Sequence, residues 1–170
     1  MGIPFFVADE LEGGETTPGV LGCVSYDVFT KAFLEKISEY NLLSIPEKDR
    51  DKIVDGFMKR ALSAFRKNCK YDLFTTGNDS RRMFLVEIPV ADLIEIVDIV
   101  SEGMVCQWLK PYVNKQELLE NVLNTKDFTT YSPAELLLRV GNAYSKAQKD
   151  YISMIREYSY NHGDLSDLHL

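Results

Sequence analysis

The sequence predicts a mainly α-helical protein, and three observations carry that reading. Apolar residues recur at spacings of three and four along most of the chain, the period of one helix face. Two capping boxes, Ser44-Ile-Pro-Glu47 and Ser132-Pro-Ala-Glu135, each stand just ahead of such a run. Turn chemistry between β-prone runs is confined to about residues 71–87. The expected architecture is a bundle of about five helices with a small β-hairpin at about residues 71–87, one long C-terminal helix and extended terminal arms. Residues 1–24 are read as an N-terminal arm, 25–160 as the helical domain and 161–170 as a C-terminal tail.

The arm holds Gly13, Gly14, Pro18, Gly19 and Gly22 with little periodicity. Its Ile3, Phe5, Phe6 and Val7 are too apolar for a purely solvated tail and are expected to pack on the body or on a neighbouring subunit. A first helix is expected over 27–41, capped by Asp27, with Phe29, Phe33, Ile37 and Tyr40 on one face. The next follows Ser44, with Pro46 in its first turn, and runs to about Asn68. Its stripe is Ile53, Phe57, Ala61, Ala64 and Phe65, and its last turn is crowded with Lys and Arg.

Gly77-Asn-Asp-Ser80 lies between Leu73–Thr76 and Met83–Val86, which suggests the hairpin. Pro89 is expected to open a central helix in its first turn. Leu93, Val97, Val100, Met104 and Trp108 form its main stripe, widened by Ile94, Ile96, Ile99 and Val105. Gly103 within it costs about 1 kcal/mol against Ala, which a close helix–helix approach would explain. Pro111 is expected to end or kink this helix, and a short helix follows at about 115–123. The last helix starts at Ser132-Pro133 and runs to about Tyr158. It has Leu137, Val140, Tyr144, Ala147, Tyr151, Ile155 and Tyr158 on one face, and Asn161-His-Gly163 stops it. Its length suggests that one end projects from the body.

The chain of 170 residues is long enough for one domain with a real core. Its 19 Lys and Arg against 26 Asp and Glu give a charge of −7. That balance argues against a general grip on nucleic acid or anionic lipid. No run approaches the ~20 apolar residues of a membrane span. The opening residues lack the positive region of a signal peptide and, with Phe6 at the Ser/Thr position, the myristoylation pattern. Cys23, Cys69 and Cys106 are odd in number and widely spaced, which fits reduced thiols rather than a disulfide framework or a zinc site.

The search for chemistry gives no catalytic motif. His162 and His169, with Asp164 and Asp167 nearby, lack a rigid scaffold for a metal, so no metal and no cofactor are expected. Cys106 falls on an apolar helix with no histidine near it in sequence, which reads as packing. Asp92, Glu95, Asp98 and Glu102 recur at helical spacing; a hydrolase can use such a row, but it reads first as a solvated face. Lys67, Lys70, Arg81 and Arg82 flank the hairpin and suit a phosphate or an acidic surface, though again a solvated face is the simpler reading.

One stretch carries a resemblance. Gly103-Met-Val-Cys-Gln-Trp-Leu-Lys-Pro-Tyr-Val113 is followed by Leu118 to Leu123, Asn124-Thr-Lys-Asp-Phe128 and Thr130-Tyr-Ser-Pro-Ala134. The tyrosine-rich helix then ends at Glu157-Tyr-Ser-Tyr-Asn-His162. In this order the segments resemble bacteriophage neck proteins, the head–tail connector or adaptor class. The resemblance covers under half the chain and rests on packing and capping elements. It implies a non-enzymatic virion protein, assembled in the host cytoplasm into a homo-oligomeric ring, often twelvefold, beneath the portal. Its partners would be the portal, the next neck or tail protein, and genomic DNA passing through the channel without sequence-specific binding, with no membrane.

On that resemblance the tail residues Asn161, His162, Asp164, Leu165, Leu168 and Leu170 are expected to dock on the portal or a neighbouring ring. An acidic wall would repel phosphates and let a duplex slide. The mixed-sign face of the last helix, with Arg139, Lys146 and Arg156, suits an intersubunit lattice. An alternative is a small cytosolic helical module presenting a groove to a partner peptide, and a third reading is a hydrolase built on the carboxylate row.

Overall fold

The computed structural model describes residues 20–37, 45–114 and 133–163. Four helices and five two-residue strands lie among them. The helices are α1 (Tyr26–Lys36), α2 (Glu47–Phe65), α3 (Val90–Asn114) and α4 (Pro133–His162). The strands are β1 (Val20–Leu21), β2 (Val24–Ser25), β3 (Gly77–Asn78), β4 (Met83–Phe84) and β5 (Ile88–Pro89). The mainly helical expectation is met. The short helix expected at 115–123 and the arm residues Ile3, Phe5, Phe6 and Val7 lie outside the described residues, as do Asp164, Leu165, Leu168 and Leu170.

α3 is the centre of the bundle. It packs on α1, α2 and α4 together, and its Ile96, Ile99, Val100 and Met104 are fully buried. Gly103 sits where α2 and α4 both press on α3. A Cβ there would fall 2.8 Å from the Ala61 Cβ and 2.8 Å from the Tyr151 ring. The helical cost of this glycine is therefore exchanged for closer packing on two sides. Tyr151 adds a buried hydrogen bond from its hydroxyl to the Ala61 carbonyl, at 2.7 Å. α3 and α4 run antiparallel, since Gly103 meets Tyr151 while Glu95 meets His162.

The stripe expected on α4 is found: Ala147, Tyr151 and Tyr158 are buried, and Leu137, Val140, Tyr144 and Ile155 are half-buried. Before Ala147 no described side chain of α4 is fully buried, so its first half is the less covered. Gly163 follows the helix at once, and a Cβ there would lie 2.6 Å from the Ser159 carbonyl oxygen.

Several boundaries and faces depart from expectation for physical reasons. Ser25, not Asp27, caps α1, its hydroxyl accepting from the Asp27 amide at 3.2 Å. α1 ends at Lys36, because Ile37 is extended. Pro46 precedes α2 instead of sitting inside its first turn, and its carbonyl accepts from the amides of Asp49 and Arg50. Ile53 and Ala64 of the expected stripe are exposed, while Val54, Met58 and Leu62 are buried. The helix is rotated so that Asp51 and Asp55 can reach an arginine of the hairpin. The cations expected in the last turn of α2 follow it, at Arg66, Lys67 and Lys70.

Pro89 is the last residue of β5, not the first of α3. Ile94, expected to be covered, is 66% exposed. Pro111 does not end α3, which is helical through Asn114, the last described residue of that stretch; it lies on the exposed side.

The hairpin exists but is displaced and joined by a third strand. β3 pairs with β4 (Gly77↔Phe84, Asn78↔Met83) and β4 with β2 (Val24↔Phe84, Ser25↔Met83), all antiparallel. Leu73–Thr76 is not a strand because Asp72 captures it. Its carboxylate accepts from the Thr75 amide and hydroxyl, and its carbonyl accepts from the Thr76 hydroxyl at 2.6 Å. The bonds from Thr75, its hydroxyl first and then its amide, hold the Asp72 carboxyl below its ordinary pKa. β1 pairs with β5 (Val20↔Pro89, Leu21↔Ile88), so the last residues of the expected N-terminal arm belong to the body.

Candidate functional site

The carboxylate row on α3 is a set of interhelix clasps. Lys36, the last residue of α1, reaches Asp98 at 2.6 Å and Glu102 at 3.2 Å. His162, the last residue of α4, places Nε2 3.1 Å from Glu95, and its ring lies against Tyr158 with centroids 4.2 Å apart. Tyr71, in the segment after α2, donates its hydroxyl to Asp92 at 2.5 Å, with the Lys70 ammonium 4.0 Å away. Each of the four acids thus faces a donor from another element. The row that reads first as a solvated face, with Asp98 59% exposed, therefore also joins helices.

A second set of clasps anchors the hairpin. Arg82 sits in the left-handed region at φ 50°, in the turn before β4. Its guanidinium meets Asp27 at 3.0 Å, Asp51 at 2.7 Å and Asp55 at 2.9 Å, so α1, α2 and the hairpin converge on one cation. Asp55 takes a forked pair of bonds, the stronger geometry for this pairing. Nearby, the buried Tyr26 donates its hydroxyl to Asp79 at 3.1 Å, and Lys59 donates to the same carboxylate at 2.6 Å. The Lys59 hydrogen bond, with that of Tyr26, holds Asp79 below its ordinary pKa. Burial, then Asp79, pushes the Tyr26 phenol well above its own.

The basic cluster expected around the hairpin is therefore divided. Arg82 is committed inside the molecule and Lys70 faces Asp92. Lys67 and Arg81 are exposed, and Arg66 lies over the Phe74 ring at 4.8 Å. Cys106 is buried as expected, and burial pushes its thiol up to about 11, with Glu102 adding to the rise. A raised pKa stabilises the fold below the unfolded value, 9.0, and that stability is lost as pH rises through the folded value. We expect Cys106 to account for about 2–3 kcal/mol of the stability lost between pH 9 and 11, at ~1.4 kcal/mol per unit. Urea titrations over that range check it, and Cys106→Ala should flatten the early part of the decline. Tyr26, Tyr71, Tyr151 and Tyr158, also raised by burial from 10.0, add their own losses from about pH 10 upward.

Large apolar side chains stay exposed on several elements, at Val28, Ile53, Phe74, Leu85 and Ile94, and three more are on α4. Away from its core stripe, Leu138 is 64% and Tyr160 76% exposed, and Ile152, at the stripe's border, 40%. Arg156 is exposed on that side, while Lys146 and Arg139 are exposed on the flank that also carries Glu135, Asp150 and Glu157, and Arg139 pairs with Glu135 at 3.3 Å. Of the expected tail residues, Asn161 is exposed while His162 is held by Glu95 and Tyr158; both belong to α4. Lys36, Tyr71 and the Asp51–Asp55 pair were not singled out in the sequence, because each works through a partner distant in the chain. Leu138, Ile152 and Tyr160 did carry a signal: they fall outside the tyrosine stripe, within about 80° of one another round the helix. Among the described residues no group of His, Cys, Asp and Glu is placed to hold a metal, and no helix is long and apolar enough to cross a membrane. Comparison with known proteins finds no family model, no curated protein and no solved structure that matches this chain.

Proposed function

We propose that the chain is a structural protein of a tailed-bacteriophage virion, one copy of an oligomeric neck ring that connects portal to tail and extends the DNA channel. The observation that supports this reading is the division of labour among its side chains. The charged groups of the inner faces are spent on joining helices, whereas α4 turns Leu138, Ile152 and Tyr160 outward beside Lys149 and Arg156. A helix of 30 residues, about 45 Å long, with apolar anchors on its free face suits contact with a neighbouring copy. The segments beyond Asn161 and before Val20 dock on the portal and on adjoining subunits, and a net charge of −7 suits a conduit through which DNA slides without being held. The chain performs no catalysis in this role.

The test is the mass of the full chain in solution, alone and with a phage portal protein. A discrete multimer, alone or on the portal, is the expected result; a monomer under both conditions overturns the reading. Ile152→Asp should reduce multimer formation at least tenfold. Because Ile152 is a partly exposed position, its unfolding free energy should change by no more than about 0.5 kcal/mol.

A further inference from the structure

We propose that the outward face of α4 is the docking surface for the acidic N-terminal segment, residues 1–19, of the neighbouring copy. The inference rests on the ring reading above. At 3.6 residues per turn, positions 138, 149, 152, 156 and 160 lie in one strip along the helix, an arc of about 80°. That strip alternates the exposed apolar groups Leu138, Ile152 and Tyr160 with the exposed cations Lys149 and Arg156. Neither cation has an ion-pair partner among the described residues, and the carboxylates of α4 (Glu135, Asp150, Glu157) lie to one flank. Such a face selects a segment that is both acidic and apolar.

Residues 1–19 have that chemistry. They carry Asp9, Glu10, Glu12 and Glu15 and no Lys or Arg, preceded by the block Ile3, Phe5, Phe6 and Val7. Reach also favours this segment. From position 138 to 160 the face is ~33 Å long. Residues 164–170 extend at most ~25 Å, whereas residues 1–19 extend to ~60 Å. The place of exit is suitable as well. Val20 pairs with Pro89, just before α3, and the first turns of α3 meet the last turn of α4 through Glu95 and His162. The segment therefore leaves each copy at the Tyr160 end of the bundle, with length to spare for an adjacent α4. Apolar burial supplies most of the attraction; the exposed charges set direction and make it salt-dependent.

The experiment uses the full chain with a photoreactive benzophenone side chain in place of Ile152. Multimers are assembled from equal amounts of unlabelled and nitrogen-15-labelled protein, irradiated, and the linked peptides read by mass. The expected result is linkage to peptides within residues 1–19, including pairs of mixed isotope. Lys149→Glu with Arg156→Glu should lower that linkage at least tenfold, and Asp9→Lys, Glu10→Lys and Glu12→Lys together should restore it. Linkage to other peptides, or only within one copy, in an intact multimer overturns this inference and leaves the ring standing. Absence of any multimer overturns the ring reading, and this inference with it.

Discussion

Gly103→Ala is expected to lower the unfolding free energy by about 2–3 kcal/mol, although alanine is the better helix former by about 1 kcal/mol. The new methyl would lie 2.8 Å from both the Ala61 Cβ and the Tyr151 ring, and neither has room to yield. Ala61 is fixed in α2. Tyr151 is held by its bond to the Ala61 carbonyl. Relief therefore means moving α2 or α4 off α3, which loosens the best-packed part of the core. Urea unfolding measures the loss, and Gly103→Val should lose more. A variant as stable as the parent would mean that the three helices do not meet as closely as described.

Arg82→Ala is expected to cost about 3 kcal/mol, since it leaves the carboxylates of Asp27, Asp51 and Asp55 together without their cation. Two effects compete at this position. The left-handed backbone at φ 50° costs a non-glycine residue roughly 1–2 kcal/mol. The clasp is the larger effect, with three carboxylates around a guanidinium whose side chain is 29% exposed. Arg82→Gly separates them: it relieves the backbone and still loses the clasp. It should fall between Arg82→Ala and the parent in thermal and urea unfolding. A glycine variant more stable than the parent would show that backbone strain outweighs the clasp.

The helical part of the fold was legible because burial imposes its period on the sequence. The tyrosine stripe of α4 and the purpose of Gly103 followed from spacing and propensity alone. The faces of α2 and α3 were legible only to within a fraction of a turn. Ile53 and Ile94 have the composition of core residues, but whether a flank is covered depends on elements elsewhere in the chain. The hairpin shifted because Asp72 binds Thr75 and Thr76 locally, a contest between turn and strand that residue type does not decide. The clasps were the least legible. Asp92, Glu95, Asp98 and Glu102 formed a visible row, but their partners Tyr71, His162 and Lys36 lie 21 to 67 positions away. The outward strip of α4 was visible in principle, masked by the stronger stripe beside it.

The central claim is that copies of this chain form a ring in the phage neck. Averaged images of the full chain, alone and mixed with a phage portal, test it most directly. The account predicts a closed ring, or a ring of added density coaxial with the portal, with α4 of each copy facing its neighbour. Bare portals beside separate compact monomers would contradict it.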